Sequence, residues 1–356
     1  MLSKYWVKYY ERSTAYGKEL GEIMKKYILY ILTIIGIGFV SIYFDWEMVL
    51  INLRSMNLYI LIIALSLQFL TMILLSLQWK YMVSWIQRNC RFMDAFRINA
   101  KGNIVDAITP GVKMGGELAR LYEIKSRLDL SYGEATVVVG LQKTISLFSF
   151  LSLTIISLIW FYTTTGNHYK SYFNLFLSAV VVLALGLLVL LILCIKPNII
   201  KKILYKFSLK PETIIKIENA FEQYSLSIGK LLENKLQFLI QILLGIFIWI
   251  LFAFKMALVI KGFNMKLDLI SIAAITYLTY IVGMIPLLPG SIGSFETSMV
   301  TLLVMKGIPV EKSIAISVVF RFVTFWFEFG LSFIMLILDK LSGYFVKDDG
   351  YAKGRI

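Results

Sequence analysis

Long apolar runs alternate with short basic connections from Tyr27 to Leu338. Six runs are long enough to cross a bilayer, which takes about 20 residues at about 1.5 Å each. They are Tyr27–Phe44, Leu58–Trp79, Ala135–Phe161, Tyr172–Ile195, Leu236–Ile260 and Ser313–Leu338, with aromatic residues such as Trp79, Trp160 and Tyr172 at their ends. Two further stretches, Phe92–Ile124 and Leu269–Met305, are apolar but interrupted, one at Thr109-Pro110-Gly111 and the other at Leu288-Pro289-Gly290.

The arms of the first interrupted stretch are too short or too polar to cross, and Ser294–Lys306 offers only 13 residues. Irregular backbone is tolerated at membrane depth only where protein or a water-filled cavity surrounds it. Both stretches therefore read as re-entrant helical hairpins, the first entering from the cytoplasmic side and the second from outside. Span, hairpin and span then occur twice, over about 58–161 and 236–338, with opposite orientation, which is an inverted-topology repeat. A conventional alternative makes Leu269–Leu287 and Ser294–Lys306 ordinary crossings. The expected fold is an all-α integral membrane protein of six to eight transmembrane helices. Its segments are an N-terminal stretch (1–26), one polytopic domain (27–338) and a tail (339–356).

Composition agrees with that class: 58% of residues are apolar and 16% charged, against roughly 45–50% and 25% in soluble domains. The net charge of +14 would be one basic face in a nucleic-acid binder. Here the cations collect between the apolar runs, and nucleic acid is set aside. Lys4, Lys8, Arg12, Lys18, Lys25 and Lys26 precede the first run, and the connections 80–134 and 196–235 are strongly basic. The excess of Lys and Arg on the cytoplasmic side places both termini there, in the cell membrane. Lysines recur at helical spacing through 196–235, so this connection is expected to lie as one or two amphipathic helices on anionic lipid at the cytoplasmic face, unless it is a simple linker. The N-terminus is too long and too charged to be a cleaved signal.

Two cysteines, Cys90 and Cys194, cannot form a disulfide framework, and a structural role is expected for both. The single histidine, His168, falls in an outward connection, which removes His-based zinc sites and catalytic triads. There is no P-loop and no dinucleotide fingerprint. No cofactor or metal is expected.

What remains is a set of charges in apolar surroundings, arranged twice. Glu117 lies six positions after Gly111, and Glu296 six after Gly290; Gln142 and Arg321 each follow their acid by 25, with Lys143 next to the former. Arg120, three after Glu117, shares its helix face. A charge at bilayer depth costs at least about 2.5–3.5 kcal/mol, so such groups face a cavity or a partner. Glu117, Arg120, Lys143, Glu296, Arg321 and Glu328 are the candidate substrate-binding residues, with Pro110, Gly111, Gly116, Pro289, Gly290 and Gly293 as structural turns. The competing role for Arg321 and Glu328 is to lock helices by pairing with Glu296 or Lys143. Lys255, near the outer end of its span, is expected to snorkel to the interface. Both signs of charge in one cavity suit a zwitterionic or anionic amphiphile.

These residues resemble the signatures of the lysylphosphatidylglycerol synthase/flippase transmembrane family. The first is carried by Pro110, Gly116, Glu117 and Arg120, the second by Pro289, Gly290, Gly293, Glu296 and Arg321, and the similarity spans about 27–338. Gln142-Lys143 stands where the family usually shows an acid followed by a basic residue. No soluble aminoacyl-transferase segment follows Leu338, so lipid aminoacylation is not expected. The resemblance implies translocation of a polar lipid, phospholipid or polyprenyl-linked, between leaflets. The alternative is a membrane-embedded transferase of polyprenyl-phosphate sugar metabolism with Glu117 or Glu296 as base. A third reading is a structural or anchoring membrane protein whose buried charges are all paired.

Overall fold

The computed structural model describes residues 46–86, 90–109, 114–165, 170–195, 226, 235–285 and 290–352. The apolar run 27–44, almost all of the connection 196–235, His168, and the turn residues Pro110, Gly111 and Pro289 lie outside them. The chain divides into two compact units, 1–50 and 51–356, and the second carries every element described below except the start of the first helix.

A short helix, α1 (Trp46–Arg54), leads into α2 (Leu58–Ser84), α3 (Phe92–Ile108), α4 (Met114–Leu128), α5 (Tyr132–Thr165), α6 (Lys170–Ile195), α7 (Lys235–Gly262), α8 (Leu269–Gly283), α9 (Ser294–Met305) and α10 (Val310–Arg321). After α10 one π-helical turn, Phe322–Trp326, continues into α11 (Phe327–Ala352). Among the described residues four stretches are long and apolar enough to cross a membrane: Leu58–Ser84, Tyr132–Thr163, Lys235–Gly262 and Val310–Asp339. Each contains one of the runs expected from the sequence, extended by a few residues.

Short polar residues start these helices. The Asn57 carboxamide accepts from the N–H groups of Tyr59 and Ile60 ahead of α2, and Asp268 accepts from Ser271 N–H ahead of α8. Ser131 and Glu134 satisfy each other's backbone N–H at 2.8 and 3.2 Å, a reciprocal cap on α5. Each cap supplies acceptors to N–H groups that no helical carbonyl reaches.

The two interrupted stretches fold as helical hairpins, α3 against α4 and α8 against α9. Their outer ends point to opposite ends of the bundle. At one end Asp339 of α11 pairs with Arg97 of α3 (2.9 Å) and Arg127 of α4 (2.5 Å). At the other, Trp160 of α5 donates to Asp268 at 3.1 Å, and the Lys306 ammonium lies 4.6 Å from the centre of the Phe161 ring. The tips meet, since a Cβ on Gly290 would sit 3.3 Å from the Ala107 carbonyl oxygen. Gly290 and Gly293 have φ of +60° and +85°, positive values that glycine adopts without the strain a Cβ brings.

Packing forms two apolar cores. One centres on Phe150, Tyr277, Phe295 and Phe320, the other on Trp79, Ile98, Ile124 and Val138. Cys90 is buried in the second and free; burial, then the charge of Asp94, pushes its thiol up to about 11. It is a neutral packing group, as its sequence setting suggests. The space level with the hairpin tips holds charged side chains among apolar ones.

Candidate functional site

A cavity of about 200 Å³ opens where the hairpin tips meet. Asp106, Glu117, Arg120, Lys143, Arg321 and Glu328 supply its charge. Arg321 follows Val310 by 11 residues and Glu328 precedes Asp339 by 11, so each lies about 16 Å from an end of the span at 1.5 Å per residue. The charges therefore stand midway along an apolar helix, where an unpaired ion is most expensive.

Each half of the chain contributes an acid from the helix after its broken turn and a cation from the next long helix. Glu117 Oε1 is 3.4 Å from Lys143 Nζ, and Glu296 Oε1 is 3.3 Å from Arg321 Nε. Glu117 also lies 3.5 Å from Arg120 on the same turn of α4, as the three-residue spacing requires. Glu117 Oε2 is buried and accepts no hydrogen bond from the protein. Leaving an acceptor in that state unfilled costs about 1–3 kcal/mol.

Arg120 is the most enclosed of the cations that line the cavity, 6% exposed. It donates to Asn103 Oδ1 at 2.7 Å and to Asp106 Oδ2 at 3.2 Å, while Asp106 accepts from Gly116 N–H at 2.9 Å. Two glycines allow that approach. A Cβ on Gly102 would fall 2.3 Å from Arg120 Nε, and one on Gly116 would fall 2.2 Å from the Asp106 carboxyl carbon. Gly116 thus serves as a contact surface within α4, whereas the sequence suggested a turn.

Arg321 is clamped between the rings of Phe295 and Phe325, at 4.5 and 4.1 Å, and donates to the Gly290 carbonyl. Glu296 reaches back to Gly293 N–H at 2.7 Å, so one acid caps α9 and fixes the arginine. Glu328 accepts from Asn103 Nδ2 at 2.6 Å and from Gln68 Nε2 at 2.8 Å. Trp249, Phe252 and Tyr280, with ring centres 5.2 to 5.5 Å apart, add an aromatic wall. Rings and charges lie against one another, Arg120 over Trp79 at 5.9 Å and Arg321 between Phe295 and Phe325, so the lining offers polar and apolar contact together.

Five of the six sequence-predicted residues, Glu117, Arg120, Lys143, Arg321 and Glu328, line the cavity, and Glu296 joins through Arg321. Sequence reasoning missed Asp106, Asn103 and Gln68. The signal was present for the first two: Asn99, Asn103 and Asp106 recur at four and three residues, one face of α3, and all three line the cavity. Lys255 does not snorkel; it is 0% exposed and bonded to Gln68 and Thr71.

The sequence matches the model of the lysylphosphatidylglycerol synthase TM region over residues 28–332. The chain belongs to this family. It is also 24% identical over 327 residues to a UPF0104 membrane protein of Methanocaldococcus jannaschii, covering 90% of this chain and 96% of the relative. A UPF0104 membrane protein of Methanothermobacter thermautotrophicus is 23% identical over 313 residues, covering 81% and 91%. As a member of the lysylphosphatidylglycerol synthase TM-region family, the chain is a multi-pass membrane protein with a lipid-related function. Both sequence signatures quoted above fall inside the matched region.

Proposed function

We propose that this protein moves a polar or anionic lipid between leaflets, with the head group passing through the cavity and the chains remaining in the bilayer. The observation that supports this most directly is the mid-span cavity, which combines duplicated acid–cation pairs with an aromatic wall. Arg120, Lys143 and Arg321 suit a phosphate or other anion, and Glu117 Oε2 suits a hydroxyl or amine donor on the same head group. Paired charges let the empty cavity persist in apolar surroundings, and a ligand exchanges one partner for another instead of meeting bare ions.

On this reading the two hairpins are re-entrant and belong to inverted repeats, about 58–161 and 236–338, with the working site between them. Both chain ends lie on the cytoplasmic face of the cell membrane, and the basic connection 196–235 rests on anionic lipid there. Outer ends at opposite faces and touching tips suit a site reached alternately from either side.

Reconstitution into liposomes carrying labelled phospholipids or polyprenyl-phosphate lipids tests the reading, with leaflet exchange scored and the lipid mass measured afterwards. Exchange of an unmodified lipid, lost in Glu296→Gln and Arg321→Leu while membrane insertion persists, is the expected result. Full exchange in both variants would discard the site, and a changed lipid mass without exchange would make the protein a transferase.

A further inference from the structure

Asn99 lines the cavity at 3% exposure, and its carboxamide bonds to no other group among the described residues. Asn103, one turn along the same face of α3, is the opposite case: its oxygen accepts from Arg120 at 2.7 Å and its nitrogen donates to Glu328 at 2.6 Å. A carboxamide carries two N–H donors and an acceptor oxygen, and burying one unfilled is costly. Asn99 is therefore a polar group for an occupant of the cavity, not for the protein, to satisfy.

Gln142 on α5 is in a similar state at one end. The Gln241 backbone carbonyl, which only accepts, takes a hydrogen bond from Gln78 Nε2 at 3.3 Å, so Gln78 presents its oxygen to Gln142 Nε2, also at 3.3 Å. That order leaves Gln142 Oε1 as an acceptor with no donor among the described residues, on a side chain 6% exposed that lines the cavity. Glu117 Oε2 on α4 is a third vacant acceptor. All three come from the first half of the chain.

The second half is built differently. Gln142 follows Glu117 by 25 residues as Arg321 follows Glu296, so a neutral amide stands where the other half carries a guanidinium. A phosphodiester has no proton for Gln142 or Glu117, and an ammonium has no lone pair for the Asn99 N–H groups. A hydroxyl donates and accepts, and so fills all three.

We infer that the head group carries several hydroxyls beside its anion, as a glycosyl, cyclitol or other polyol group does, and that Asn99 and Gln142 select it. This rests on the lipid reading above and narrows its substrate class.

The full chain in detergent micelles is equilibrated with equal amounts of phosphatidylinositol and phosphatidylmethanol, and the retained lipid is read by native mass spectrometry. Both are phosphodiesters of equal charge, and only the first bears hydroxyls on its head group. The inositol lipid is expected in about tenfold excess or more, the factor that a hydrogen bond to a buried, otherwise unfilled group gives. Asn99→Leu brings the two lipids to near parity, and because this side chain bonds to nothing in the chain, the empty variant melts no lower than wild type. Asn99→Ala serves if leucine crowds the helices, and Gln142→Met lowers the preference in part. Near parity in the wild type, a preference unchanged in the folded variants, or one lost in Asn99→Leu only together with stability overturns the inference and leaves the lipid reading standing. Retention of neither lipid overturns both.

Discussion

Replacing Arg321 with leucine removes three interactions at once: the ion pair to Glu296 at 3.3 Å, the bond to the Gly290 carbonyl, and the contacts with the Phe295 and Phe325 rings. Taking one member out of a buried pair costs about 3–5 kcal/mol. The Glu296 side chain keeps 28% of its exposure, so water recovers part of that, and the expected loss is about 3 kcal/mol, of which the ring contacts supply about 1. Glu296→Gln keeps an acceptor for Gly293 N–H and should lose about 1.5–3 kcal/mol, the range of one charged hydrogen bond. The double variant then isolates the pair, with an expected coupling of about 1.5 kcal/mol. Reversible unfolding in mixed micelles, followed by tryptophan fluorescence, measures all four proteins. A coupling below about 0.5 kcal/mol, within the usual error of additivity, would refute the claim that this pair holds the second turn to the last span.

Three further outcomes follow from the geometry. Gly290→Ala places a Cβ 2.8 Å from Phe325 and forces a side chain into φ +60°; the loss should exceed about 1 kcal/mol, with cavity shape altered, measured by the same unfolding assay. Asp339→Asn removes the acid shared by Arg97 and Arg127; with side chains 18% and 25% exposed the cost is about 1–2 kcal/mol, and added salt should narrow the gap to wild type, checked by melting at low and high salt. At Asp268, burial opposes the charge, but hydrogen bonds from Ser271 and Trp160 and the charge of Lys306 more than offset it and depress the carboxyl below its usual range. A depressed acid contributes stability that is present above its unfolded value of about 3.9 and is lost as pH falls through the lower folded value. Wild type should therefore lose its advantage over Asp268→Asn as pH is taken below about 4, and a pH-independent difference would exclude this.

Charges in apolar runs were legible because the bilayer makes them conspicuous. Glu117, Lys143, Glu296, Arg321 and Glu328 stood out, and the repeated Pro-Gly spacing grouped them correctly. A lone neutral amide leaves no such trace, so Gln68, which donates to Glu328, was invisible among ordinary helix residues, whereas Asn103 could have been found through its spacing from Asn99 and Asp106. Lys255 was misjudged because nearness to a helix end was not converted to distance; its stem cannot cover about 10 Å. Apart from Arg120, the basic residues of 80–134 were read as topology signals, yet Lys101 and Arg127 bond to Glu123 at 2.5 and 2.8 Å, and Arg97 and Arg127 to Asp339. Pairing between distant segments is a property of the folded chain, and spacing alone does not encode it.

The π-helical turn at Phe322–Trp326 gives the last span room for one residue more than an α-helix of the same length. Each kind of turn closes one revolution, so the residues beyond it keep their phase, with Glu328 on Gln68 and Asn103 and Asp339 on Arg97 and Arg127. A residue deleted from the α-helix between Glu328 and Asp339 has no such turn to absorb it. Asp339 would then rotate by about 100° about the axis and leave both arginines, although no residue facing them had been replaced. The span thus carries its slack in length between Arg321 and Glu328 and has none beyond.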